Sequence, residues 1–94
     1  MSAAAVLVVE DDHSLREALC DTLETAGIQV KSVADGAAAL KVIEHEKISV
    51  VVSDVHMQPM DGHALLQKLK AVNPSLPVVL MTAYGSVGQA VRPC

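Results

Sequence analysis

The chain has no tryptophan, no phenylalanine and one tyrosine, Tyr84, among its 94 residues. A core built without large rings must be packed from Val, Leu, Ile, Ala and Met. Cysteine is nearly absent too. Cys20 and Cys94 lack the paired spacing of a zinc site, so reduced thiols without a disulfide are expected, as in a cytoplasmic protein. Basic residues are few, seven against eleven acidic, giving a formal net charge of -4. Direct nucleic-acid binding needs clustered Lys and Arg to neutralise phosphates, and this balance argues against it. No apolar run is long enough to span a bilayer, and no basic segment precedes an apolar one near Met1, so neither a membrane segment nor a signal peptide is expected. At this length residues 1–94 read as one domain.

What is present is a regular alternation of short apolar runs and helix-period segments. Ala5 to Val9 is continuously apolar, as a parallel strand covered on both faces must be. Leu15, Ala18, Leu19, Leu23 and Ala26 then recur at helical intervals until Gly27, with Ser14 and Glu17 at the spacing of a capping box. Ile28 to Val33 reads as a half-exposed edge strand, and Asp35-Gly36 can cap a second helix over Ala37 to Glu46. A third strand is expected over Ile48 to Ser53 and a third helix over Gly62 to Val72, closed by Asn73-Pro74. Pro77 to Thr82 reads as a fourth strand, and Ser86 to Gln89 as the opening of a fourth helix that Arg92-Pro93-Cys94 leaves barely one turn long. This order predicts an α/β fold, an open parallel sheet with helices on both faces joined by right-handed crossovers.

Ligands of such sheets bind beyond the carboxyl ends of the strands, and that is where the acids fall. The first strand ends in Glu10-Asp11-Asp12; the apolar run Val50-Val51-Val52-Ser53 delivers Asp54. Carboxylates gathered there repel one another unless a proton or cation intervenes. All-oxygen donors without paired Cys or His favour Mg²⁺ over zinc, which points to a site of phosphoryl transfer. His13, His45, His56 and His63 include no i, i+4 pair, and none is assigned to metal. Asp12 is read as a cap of the first helix, ahead of any role as a ligand.

Val8-Val9-Glu10-Asp11-Asp12, the strand ending in Asp54, Met57 with Met60-Asp61-Gly62, and Thr82-Ala83 occur in the order and approximate spacing of one family. The chain resembles the receiver domain of bacterial two-component response regulators, and Thr82-Ala83-Tyr84-Gly85 is similar to receivers of the sigma-54-dependent activator type. The resemblance implies a flavodoxin-like fold and a phosphoryl acceptor, not a classical enzyme. It implies that Asp54 takes a phosphoryl group from a histidine kinase or other phosphodonor. It further implies that Mg²⁺ is held by Glu10, Asp11, Asp54 and the backbone carbonyl of His56, and that Thr82 contacts the phosphoryl group and relays the switch to an output.

Two departures accompany it. Gln58 stands between Met57 and Pro59, where the family has proline directly after the methionine. The family's fifth strand, the lysine before it and its last helix would lie beyond Cys94, so the sequence reads as an incomplete receiver. Loss of the lysine's charge-assisted contact costs a phosphoryl group roughly 1.5 to 3 kcal/mol. Two other readings follow: a phosphorylation-impaired remnant that binds metal or self-associates through an uncovered sheet edge, and a hydrolase using the same acids. The hydrolase lacks a general acid two residues after Asp54, where His56 sits.

Overall fold

The structure, a computed structural model, describes residues 4–56 and 60–81. Four strands, β1 (Ala5–Val9), β2 (Val30–Val33), β3 (Ile48–Asp54) and β4 (Val78–Met81), form one parallel sheet in the order β2-β1-β3-β4. Helices α1 (His13–Thr25), α2 (Gly36–His45) and α3 (Gly62–Val72) connect them. The alternating open parallel sheet expected from the sequence is the one observed, with β2 at an edge. The expected fourth helix, Tyr84 and Cys94 lie outside the described residues.

The chain moves leftward from β1 to β2 and rightward afterwards, so right-handed crossovers place α1 on one face and α2 with α3 on the other. The core lies on the second face. Leu7 and Val9 of β1, Val51 of β3, Ala39 of α2, Leu65 and Leu69 of α3, and Leu76 are all buried together. Leu40, Ile43 and Met60 pack around them. Helix α1 contributes no buried residue, and Val79, whose register with Val52 puts it on α1's face, is 50% exposed. Among the described residues, burial of apolar surface, the main driving force of folding, is thus concentrated on one side of the sheet.

Each helix starts on an aspartate whose side chain accepts an otherwise unpaired amide: Asp12 from Leu15 at 3.1 Å, Asp35 from Ala38 at 2.8 Å, and Asp61 from Ala64 at 2.9 Å. The expected capping box at Ser14 is not formed. Asp12 takes the cap two residues earlier, Ser14 lies inside α1, and Glu17 instead meets His13 Nε2 at 3.1 Å. Strand β2 also begins later than the apolar pattern suggested. Gly27, at φ 85°, ends α1 in a Schellman turn in which its amide donates to Glu24 O at 2.9 Å and that of Ile28 to Leu23 O at 3.0 Å. Ile28 therefore belongs to the helix cap and is left exposed.

Candidate functional site

Strand register brings the acids together. Val9 pairs with Ser53 across β1 and β3, so Glu10 and Asp54, the next residues on two adjacent parallel strands, come side by side. Side-chain oxygens of Glu10, Asp11 and Asp54 all lie within 4.8 Å of one another. Glu10 and Asp54 are buried, 1% and 2% exposed, whereas Asp11 faces solvent. The cluster thus has two buried acids and one exposed acid.

Glu10 is held at nearly every polar atom. Its amide donates to Val33 O at 3.1 Å, its carbonyl accepts Arg16 Nη1 at 2.8 Å, and its Oε2 accepts the Asp12 amide at 3.0 Å. The exception is Oε1, which is buried with no hydrogen-bond partner among the described residues. An unpartnered buried carboxylate oxygen is costly unless it takes a proton or a cation. Burial of the carboxyl, reinforced by the Asp54 charge and opposed by the Asp12 amide, pushes Glu10 from its ordinary 4.5 up to about 7.

Asp54 closes β3, where it pairs with Met81. Its Oδ1 accepts the His56 amide at 3.0 Å, which sets the rotation of the carboxylate. Behind it, the Gly62 amide donates to Val55 O at 3.0 Å, drawing the first turn of α3 against the end of β3. The approach is so close that a Cβ on Gly62 would sit 2.6 Å from the Asp54 carbonyl oxygen and 2.8 Å from Val55 Cα. Both are backbone atoms and cannot swing aside. Gly62→Ala is therefore expected to destabilise the domain by about 2 kcal/mol, in the range of overpacking changes, and to shift Asp54. Urea denaturation at constant m reads the first effect; a stability within 0.5 kcal/mol of wild type would contradict it.

Of the residues singled out in the sequence, Glu10, Asp11 and Asp54 meet in one cluster, and the His56 backbone joins it through its amide. Asp12 serves as the α1 cap, as expected, and donates its amide to Glu10. Met57 and Thr82 lie outside the described residues. Two contributors were not foreseen: Arg16, which reaches back to the Glu10 carbonyl, and the steric role of Gly62. A basic residue in the first turn of a helix, against the helix dipole, is the only trace the first leaves in the sequence.

An open parallel sheet with an acidic cluster at the carboxyl ends of its two central strands defines a class, and the chain's residues 6–93 match the response regulator receiver domain family. The chain belongs to that family. It is 54% identical over 90 residues to the response regulator protein FleR of Pseudomonas aeruginosa, covering 96% of this chain and 19% of FleR. It is 42% identical over 93 residues to the C4-dicarboxylate transport transcriptional regulatory protein DctD of Rhizobium meliloti, covering 98% of this chain and 20% of DctD. The chain thus spans about a fifth of these curated relatives. The match to these transcriptional regulators agrees with the activator type that Thr82-Ala83-Tyr84-Gly85 suggested.

Among solved structures, the Vibrio cholerae chemotaxis protein CheY4 superposes with a TM-score of 0.83 at 30% identity, covering 97% of this chain and 82% of CheY4. A chain from the crystal structure of histidine kinase ThkA in complex with response regulator protein TrrA gives a TM-score of 0.81 at 25% identity, covering 88% of this chain and 72% of that one. Among the described residues, no helix is long and apolar enough to cross a membrane.

Proposed function

We propose that this receiver domain accepts a phosphoryl group on Asp54 from the phosphohistidine of a histidine kinase, with Mg²⁺ held by Glu10, Asp11, Asp54 and the His56 carbonyl. The observation that carries this reading is the meeting of the Glu10, Asp11 and Asp54 carboxylates, together with a buried Glu10 oxygen, Oε1, that has no hydrogen-bond partner among the described residues. Hard oxygen donors in this number suit Mg²⁺. Bound there, Mg²⁺ would neutralise oxygens of an incoming phosphoryl group.

The chain's own residues supply the remainder. One Asp54 carboxylate oxygen forms the new bond to phosphorus as the bond from phosphorus to the donor imidazole nitrogen breaks; the electron pair of that bond returns to an imidazole protonated on its other ring nitrogen, leaving an acyl phosphate and a neutral histidine. The His56 amide orients the nucleophile, and the packed α3 start behind it prevents retreat. Thr82 would donate a hydrogen bond to the transferred group and relay its arrival to the surface around β4, biasing an existing equilibrium of that surface toward an active form. The kinase as donor is supported by the ThkA complex, in which a similar chain is paired with a histidine kinase.

The test is labelling by a small acyl-phosphate donor across an Mg²⁺ titration. The expected outcome is one phosphoryl group per chain, dependent on Mg²⁺ and released by hydroxylamine. Mg²⁺ binding without label would instead identify a metal-binding remnant, and release of free product by turnover of a phosphate ester would favour the hydrolase.

A further inference from the structure

We propose that Arg16 is a positioning residue for the acidic pocket, acting through the backbone of Glu10. The inference rests on the metal-binding reading above, but concerns a residue that reading does not use. Arg16 Nη1 donates to the Glu10 carbonyl at 2.8 Å across six positions of sequence. Its Nη2 lies 3.1 Å from His13 Nδ1, and His13 Nε2 lies 3.1 Å from Glu17 Oε2. One arm of the guanidinium is thus braced on α1 while the other holds the turn that carries Glu10 and Asp11. The planar fork of arginine suits this two-armed task, and the single ammonium of lysine does not.

Helix stability does not explain a cation at this place. Arg16 is in the first turn of α1, where the helix dipole disfavours positive charge, and no acidic residue occupies that turn. Its compensation is the contact itself. The Glu10 amide is tied to β2 and its Oε2 to the Asp12 amide, so the Arg16 bond fixes the remaining backbone atom of this residue. Groups that orient metal ligands typically govern affinity by factors of 10 to 100.

Charge alone predicts the opposite sign. Removing a cation near three carboxylates strengthens their attraction for Mg²⁺, whereas losing a positioning bond weakens binding. Arg16→Lys keeps the charge and removes the fork, so it isolates geometry; Arg16→Met removes both. Calorimetric titration with Mg²⁺ is expected to show about tenfold weaker binding for Arg16→Lys, and weaker binding than wild type for Arg16→Met as well. In the metal-free protein, amide exchange should accelerate at Glu10 and Asp12, whose amides are hydrogen-bonded, in both variants, with no lowering of Tm and no change in the amides of β3. A general loss of stability would raise exchange throughout. Wild-type Mg²⁺ affinity in Arg16→Lys, tighter binding in Arg16→Met, or unchanged protection of Glu10 and Asp12 overturns the inference. If the wild-type chain itself takes no Mg²⁺, the functional reading fails, and the exchange measurement still decides the role of Arg16.

Discussion

Asp54→Asn is expected to take no phosphoryl label from an acyl-phosphate donor or a kinase, a loss to background against one group per chain in the wild type. The substitution is nearly isosteric, so the amide of His56 retains an oxygen to donate to and the strand end keeps its shape. What disappears is the anionic nucleophile, since a neutral carboxamide oxygen forms no stable acyl phosphate. A second consequence separates this outcome from misfolding. The Asp54 charge is one of the causes that raise Glu10, so the Glu10 carboxyl should ionise at lower pH in the variant. Carboxyl NMR titration reads that shift, and a folded spectrum with lowered Glu10 and no label is the full expected result. Label retained at wild-type level would place the acceptor elsewhere and remove the basis of the proposed reaction.

Glu10→Gln should stabilise the metal-free domain at pH 8 by about 1 to 3 kcal/mol and at the same time weaken Mg²⁺ binding by at least about tenfold. The sign follows from linkage. Glu10 titrates near 4.5 when unfolded and at about 7 when folded, so between those values the folded state holds a proton that the unfolded chain has released. This group's contribution to stability is therefore complete below about 4.5 and lost as pH rises through about 7. Above that pH the wild type keeps an unpaired charge on a buried oxygen, whereas the carboxamide carries none and can donate to the neighbouring acids. At pH 5 the two proteins should differ little. Mg²⁺ competes with the same proton, so wild-type affinity should fall as pH drops below about 7. Urea midpoints at the two pH values, each with and without Mg²⁺, test this; equal stability of both proteins at pH 8 would show that the Glu10 charge is not strained.

The pocket was legible in the sequence because apolar runs and acids share its grammar. Val50 to Val52 read as a buried strand, a strand of that kind ends at the sheet edge, and Asp54 had nowhere else to be. The same logic placed Glu10 and Asp11. Helix α3 was bounded correctly at both ends, since Asp61 and Asn73-Pro74 leave no competing choices. Boundaries failed where two signals overlapped. Asp12 and Ser14 are both good caps, and only the folded chain shows Asp12 in use. Ile28 has the character of a strand residue, but the Gly27 turn claims its amide first. Long-reaching contacts left no periodic trace: a guanidinium that returns six residues to a carbonyl, or a missing Cβ that admits a strand end, depends on three-dimensional proximity alone.

Among the described residues no side chain of α1 is buried while α2 and α3 share the core, so the two flanks of the sheet differ there in how firmly they are anchored. Segments with little interior packing open at lower free energy than the rest of a domain. Asp54 belongs to the well-anchored flank, whereas Asp11 sits in the turn that leads into the loosely anchored helix. Arg16, on that helix, holds the Glu10 carbonyl, so the helix is tied to a buried acid as well as to the exposed one, and whatever bridges Asp11 and Asp54 acts as a stitch between a stiff half and a yielding one.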